Sequence, residues 1–248
     1  MANVSNAASA TPQVAVGSHR DSPSFLQHQF DSPAQQFDAA KLGMWLLVAA
    51  EIVMFAGLFV AYAVSRGTDG DIFHQAHLQL GRGIGTVNTV VLLFSSLTTA
   101  LAVSASQQGK RNLTSVYLAI TLGCAAVFLA VKYFEYSQKV QLGLLPGRCF
   151  GHPGFEGCIG DAGLSAQPVS VLGLPVRANM FFALYFMMTG LHGLQVLVGM
   201  AILFWALLKN IRGGISAQYF TPVDIGALYW HLVGIIWIYL FPLLYLVG

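Results

Sequence analysis

The chain has 248 residues, of which 56% are apolar and only 9% charged, and its mean hydropathy is +0.65. Soluble domains carry roughly 25% charged residues, so this composition excludes a soluble enzyme and points to an integral membrane protein. A net charge of +2 is too small for a nucleic-acid binder, and three cysteines are too few for a disulfide scaffold or a thiolate metal cluster.

Residues 1–40 are rich in Ala, Ser, Gln and Pro and lack apolar periodicity, which predicts a disordered cytoplasmic tail. The segment Met1–Ala10 has neither the basic start nor the apolar run of a signal peptide, so the first span itself is expected to direct insertion. Residues 41–248 form the membrane domain. Five stretches there reach the length of about 20 residues that a helix needs to cross a bilayer. They are Leu42–Val64, Thr86–Ser106, Leu113–Tyr136, Met180–Leu208 and Ile225–Val247. Each is too long for a barrel strand, and none alternates in polarity. The fold class expected is all-α, a polytopic membrane bundle of five transmembrane helices. The second stretch is the most polar, with Asn88, Thr89 and the Ser95-Ser96 pair.

Two connections are short, Gln107–Asn112 and Lys209–Asp224. Two are longer, Ser65–Gly85 and the Gly/Pro-rich Ser137–Asn179. No internal repeat is evident, which argues against the inverted-repeat build of many transporters. With the N-terminus inside, Lys and Arg divide six against six between the two sides. The cations of the short loops, Lys110-Arg111 and Lys209 with Arg212, favour a cytoplasmic N-terminus and an external C-terminus, because the positive-inside rule acts most strongly on short loops. Cys149 and Cys158 share the long external loop. A disulfide between them would require an oxidising compartment, in agreement with this orientation; two unpaired loop cysteines are the alternative.

An ionised carboxylate near mid-span costs about 2.5–3.5 kcal/mol on insertion scales, so polar residues inside the spans need a reason. Glu51 stands near the middle of the first span, where this cost favours a protonated, hydrogen-bonded carboxyl. A proton site, a reactive carboxyl, an anchor between helices and a neutral group satisfied by a neighbouring helix are the readings open to it. Glu135 has Lys132 and Lys139 on its own helix face, at i−3 and i+4. A charge network at the headgroup level and a contact to a lipid head group both fit that spacing. His192, between Gly190 and Gly193, and His231 suit polar contacts to a helix or lipid; a metal ligand or proton carrier is the alternative.

Only His192 and His231 of the seven histidines lie inside spans. A haem-copper catalytic chain needs several more, and a dinuclear copper site needs paired cysteines in a soluble domain. His74 and His77 stand in a loop without a carboxylate or cysteine cluster beside them. No catalytic or metal-binding residue is therefore assigned. Gly57 and Ala61 suit close helix packing. Pro242 would kink the end of the last span, and only some of Trp45, Trp205, Trp230 and Trp237 can be interfacial anchors.

Five segments, in order, resemble subunit III of cytochrome c oxidase, in the haem-copper oxidase superfamily. Lys41-Leu42-Gly43-Met44-Trp45 running into Glu51-Ile52-Val53-Met54-Phe55 is similar to that family's Gly-Met entry and Ser-Glu-Val-x-Phe-Phe segment. Val87-Asn88-Thr89-Val90-Val91-Leu92 with Ser95-Ser96 is similar to its Leu-Asn-Thr helix. Glu135-Tyr136 resembles its Glu-Tyr pair. Phe181-Phe182 through Thr189-Gly190-Leu191-His192-Gly193-Leu194 resembles its Thr-Gly-x-His-Gly-x-His stretch, and Tyr229-Trp230-His231-Leu232-Val233 with Trp237 its closing helix. The chain departs from the pattern at Ala50, at Gln195 (a second histidine in the family) and at Gly234 (a carboxylate). It resembles the short five-helix bacterial form.

The resemblance implies a non-catalytic subunit of a proton-translocating bacterial aa3/caa3-type cytochrome c oxidase in the cytoplasmic (inner) membrane. Haem and copper would reside in partner subunits I and II, and other respiratory complexes are further partners to consider. The subunit would hold phospholipids in a cleft between helices and support proton uptake and lasting turnover in aerobic electron transport. Glu51, taken as a carboxyl buried in the bilayer, with Glu135, His192, His231 and Arg66 as lipid or interhelix polar contacts, are the residues of interest. The alternatives are the equivalent subunit of a quinol oxidase or nitric oxide reductase, and a stand-alone transporter or proton channel.

Overall fold

The structure is a computed structural model that describes residues 26–27, 29–152, 154 and 172–247. Its helices are α1 (Pro33–Thr68), α2 (Gly70–His77), α3 (Arg82–Gln107), α4 (Arg111–Gln141), α5 (Ala178–Ile211) and α6 (Thr221–Phe241). A π-helical turn, Pro242–Val247, continues α6. Among the described residues five helices are long and apolar enough to cross a membrane, α1, α3, α4, α5 and α6 with its π-turn.

The boundaries correct two expectations. The first helix starts at Pro33, so Pro33–Ala40 is helical although its composition reads as unstructured tail. Local chemistry explains this: the Ser32 side chain accepts from the Gln35 amide, and proline at the first position gives up only an amide that would have no partner. Residues 1–25 lie outside the described part. The connection Ser65–Gly85 is not a plain loop but contains α2, whose Phe73 and Ala76 are buried while most of its polar residues face outward. Eight residues are too few for a confident helical period in sequence.

Helices α3, α4, α5 and α6 form a closed ring of neighbours, α3 on α4, α4 on α5, α5 on α6 and α6 on α3. Of these, α6 and α5 also touch α1, and α6 is the most deeply buried of the spanning helices, with Ile235, Ile238 and Tyr239 left exposed. Close approach to α6 depends on Gly199 of α5, where a Cβ would come within 2.9 Å of the Trp230 ring. By contrast, α1 lies outside the ring. Its buried residues are Val48, Phe55 and Tyr62, one every second turn, so it contributes a single narrow seam. The rest of its apolar surface, including Leu46, Val53, Val60 and Val64, is exposed.

Polar residues inside the ring join helices to one another. In α3, Ser95 accepts from the Trp230 indole at 2.9 Å and Thr89 from the Trp237 indole at 3.0 Å. Thr98 and Thr99 meet Thr121 of α4 at 2.8 and 3.2 Å. The polarity of the second span thus gives the two indoles of α6 the partners they would otherwise lack in hydrocarbon, and adds a tie to Thr121 of α4. At the end of the bundle where α1 begins, Arg111 donates to the Asn210 and Ile211 carbonyls, and the Asn210 amide donates back to the Arg111 carbonyl at 2.9 Å. The start of α4 thereby caps the end of α5.

Candidate functional site

With so little apolar burial, α1 is attached to the bundle by polar ties at three levels. At its first end Lys41 faces Asp224 at 3.7 Å, and the Lys41 ammonium lies over the Phe37 ring. Near mid-span, the Gln195 side-chain amide of α5 donates to Glu51 Oε2 at 2.6 Å. At the far end, Tyr62 donates to the Leu243 carbonyl at 3.0 Å and Arg66 to the Val247 carbonyl at 3.1 Å. Both carbonyls belong to the π-helical turn that continues α6, and the last carbonyls of a helix have no intrahelical partner.

Between the ties an apolar groove of about 860 Å³ opens along α1, α3 and α6. Trp45, Phe59, Val103, His231 and Tyr239 are among its walls, and Asp224 closes the end nearest Lys41. A second, shallower groove runs between α1 and α5, with Gly57 and Gly190 on its floor.

Glu135 lies in a closed polar cluster. Its Oε2 accepts from Lys132 Nζ at 2.8 Å and its Oε1 from the Tyr245 hydroxyl at 2.6 Å, while Lys132 also donates to Tyr245 at 2.7 Å. The Trp237 ring lies 4.6 Å from the same ammonium. Both charged side chains are more than nine-tenths buried. Lys139 lies within electrostatic reach of Glu135, as expected, and donates its hydrogen bond to the Gln79 carbonyl at 3.0 Å, holding the segment that enters α3. His192 is fully buried, with Nε2 at 3.0 Å from the Val233 carbonyl and its ring between Phe128 and Trp237. His231 is half-buried and faces the large groove.

The structure therefore joins Glu51 to α5, Glu135 and His192 to α6 and its π-turn, and Arg66 to the Val247 carbonyl; His231 faces the large groove, and Arg66 also lines a smaller one beside Tyr62 and His74. Two partners had no signal in spacing alone. Gln195 reads in sequence only as a departure from a motif, and Tyr245 only as one more aromatic near the C-terminus. At Gly234, the position of a carboxylate in the resembled motif, a Cβ would meet Ser96 Oγ at 3.1 Å, a tight approach to that hydroxyl.

The His74 and His77 rings lie 4.9 Å apart, tilted by 49°, but Arg82 donates to His77 Nε2 at 2.8 Å and occupies that nitrogen. Among the described residues no group of three His, Cys, Asp or Glu side chains comes together as a metal site. Cys124 is free, and Cys149, in the 3₁₀ turn Gly147–Cys149, is disulfide-bonded. The Cys149–Cys158 pairing expected from sequence involves Cys158, which lies outside the described residues.

Comparison with known proteins places this geometry. The family described as "Cytochrome c oxidase subunit III" matches residues 171–248. Cytochrome c oxidase subunit 3 of Thermostichus vulcanus is 29% identical over 223 residues, covering 89% of this chain and 92% of that protein. The cytochrome bo(3) ubiquinol oxidase subunit 3 of Pseudomonas aeruginosa is 25% identical over 89% of this chain and 91% of its own length. Heme-copper oxidase subunit I+III of Aeropyrum pernix is 27% identical over 85% of this chain, which corresponds to 23% of that longer protein.

Proposed function

We propose that this chain, which belongs to the subunit III family of haem-copper oxidases, is the third subunit of a bacterial aa3/caa3-type cytochrome c oxidase. It carries out no redox step itself. It braces the catalytic subunit I, beside subunit II, in the cytoplasmic membrane, with its N-terminus inside and its C-terminus outside. Haem and copper belong to those partners.

The observation that carries this reading is how the buried polar groups are used. Lys132 and Glu135 of α4 meet Tyr245 of the π-turn, His192 of α5 meets the Val233 carbonyl of α6, and hydroxyls of α3 meet Thr121 of α4 and two indoles of α6. Such groups hold a scaffold together; a transporter or proton channel would aim them into a continuous polar path. The wide groove beside α1 supplies the second half of the role. It is long, apolar and bounded at one end by the Lys41–Asp224 pair, a suitable bed for a phospholipid chain whose head group stays at the membrane surface. Bound lipid would fill the space between a loosely attached helix and the bundle and keep the complex intact during turnover.

The match to a cytochrome c oxidase subunit over nearly its full length favours cytochrome c as the electron donor. The second reading, a quinol oxidase subunit, rests on relatives named for quinol oxidases at 25% identity. The test is purification through a tag on this chain. The proposal expects co-elution with haem- and copper-bearing chains and oxygen consumption with reduced cytochrome c. Oxygen consumption with quinol alone would transfer the chain to the second reading, and elution without haem would end the subunit assignment. Glu51→Gln should leave the haem spectrum of the complex unchanged, because no metal ligand is lost.

A further inference from the structure

We infer that the outer face of α4 and α5, at the end of the bundle where α1 begins, binds an anionic phospholipid, its phosphate at Arg111 and Arg212 and one acyl chain in a groove between the two helices. The first observation is uncompensated charge. The connections at this end carry Lys110, Arg111, Lys209 and Arg212, and no Asp or Glu occurs from Gln107 to Gly123 or from Met200 to Val223. The ion pairs among the described residues are Lys41–Asp224, Lys132–Glu135 and Arg177–Asp69, and none includes these four cations. The two connections lie together: Arg111 donates to the Asn210 and Ile211 carbonyls, and a Cβ at Gly213 would meet its guanidinium at 3.3 Å. Those bonds use only part of a group with five N–H donors, so the exposed Arg111 keeps donors for a ligand. Lys110 and Arg212 are exposed beside it. The positive-inside rule accounts for cations on this side of the membrane, but not for the groove directly below them.

The second observation is that groove. It holds about 560 Å³, with Ala119, Gly123, Met200, Phe204 and Leu207 among its walls. Ala119 and Gly123 are exposed, and a Cβ at Gly123 would meet nothing within 4 Å, so small residues keep the floor open. Along the helix axes the groove runs from Leu207, about 6 Å below Ile211, to Gly123, about 18 Å below Arg111. An acyl chain at that depth brings the phosphate of the same lipid to the level of the cations. Trp205 marks the layer between: it is 53% exposed, and the Lys209 ammonium lies 5.1 Å above its ring, an arrangement suited to the headgroup region. Charge selects the class of lipid. Four cations with no acid among them favour a net negative head group, such as phosphatidylglycerol, over a zwitterionic one, and each Lys or Arg near the head group contributes about fivefold in affinity. The site is built on other helices than the groove along α1, α3 and α6. It requires the membrane setting of the chain and not the identity of its partners.

Photolabelling of the complex purified through this chain tests the inference. Two probes carry the same diazirine-bearing acyl chain, one on phosphatidylglycerol and one on phosphatidylcholine. Mass spectrometry of peptides should find the phosphatidylglycerol probe on Ala119–Gly123 and Met200–Leu207 at several times the yield of the other. Lys110→Gln and Arg212→Gln should each lower that ratio, by up to about fivefold, while the ratio at Ala100–Val103, beside the α1 groove, stays as in wild type. Equal yields from the two probes, a ratio that neither variant changes, or no label on either segment would overturn the inference. Both substituted residues are exposed and outside the ion pairs, so assembly should not depend on them. Ala119→Phe gives a second reading, because it fills the groove and leaves the cations in place. It should reduce label on Met200–Leu207, and undiminished label would overturn the groove as the seat of the acyl chain. Label missing from a complex that still contains haem would refute the site and leave the subunit assignment standing.

Discussion

Tyr245 donates to Glu135 at 2.6 Å and accepts from Lys132 at 2.7 Å, so the last turn of the chain completes an ion pair formed within α4. The π-turn that starts at Pro242 presents this hydroxyl to the cluster, and Tyr62 and Arg66 bind the carbonyls of the same turn. The C-terminus is thus the point at which α1, α4 and α6 are fastened together.

Removing that hydroxyl should loosen the fastening. Tyr245→Phe leaves both buried charges without one hydrogen bond each, at a cost of about 1–3 kcal/mol. The thermal midpoint of the purified complex should fall, whereas Tyr239→Phe, at an exposed position, should leave it nearly unchanged. Equal midpoints for the two variants would show that the cluster does not need Tyr245.

The contact between α5 and α6 gives a steric prediction. Gly199→Ala would place a Cβ 2.9 Å from the Trp230 ring, while Gly123→Ala on α4 meets nothing within 4 Å. Overpacking of this kind costs about 1–3 kcal/mol. The first variant should lower helix retention on heating, followed by circular dichroism in detergent, and the second should match wild type.

Outside the spans, His77 supplies a pH dependence. It is buried in α2, and burial, with the Arg82 guanidinium and the His74 ring beside it, holds its pKa below the usual histidine value. The folded protein therefore prefers neutral His77, whose Nε2 accepts from Arg82. The stability this provides is present above the unfolded pKa of about 6.5 and is lost as pH falls through the lower folded value. Acidification from about pH 7.5 to about pH 5.5 should speed proteolysis of the α2–α3 connection, and His77→Gln should flatten that response. A profile identical in both proteins would remove His77 as its source.

The two membrane carboxyls should differ toward a hydrophobic carbodiimide, which attacks the protonated form. Glu51, half-buried and facing an amide, should label readily; Glu135, enclosed with Lys132 and Tyr245, should label little. Mass spectrometry of peptides from the labelled complex provides the measure, and equal labelling would remove the distinction between a half-buried and an enclosed carboxyl.

Filling the large groove should displace its occupant. Ala100 lies on the groove wall and is exposed, so Ala100→Trp would occupy part of its volume without disturbing the core. Less phospholipid phosphorus per complex, with haem content unchanged, is the expected result. Unchanged phosphorus would separate the groove from lipid binding.

The membrane spans were legible in sequence because hydrocarbon admits only long apolar helices, and all five appear in chain order. Their edges were read short at both ends: α1 reaches back to Pro33 through its Ser32 cap, and α4 runs on to Gln141 past Tyr136. Hydropathy marks the apolar stretch, whereas helices continue into polar residues while caps and hydrogen bonds support them. The small helix α2 left no such mark. At the candidate site, Glu51, Glu135, His192 and His231 stood out as polar groups in apolar surroundings, but their partners did not. Gln195, Tyr245 and the carbonyls of the π-turn are far away in the chain and ordinary in composition.

By itself, then, the order of residues determined the solvent, the number of crossings and which polar side chains would need satisfying, because transfer into hydrocarbon is priced residue by residue. The folded arrangement alone decided who satisfies whom. Hydrogen bonds act over about 3 Å, and residues as distant in sequence as Glu51 and Gln195, or Lys132 and Tyr245, come within that reach only when helices pack side by side. The loose seating of α1, and the groove it leaves, likewise follow from which helix neighbours which, a property that no single helix carries.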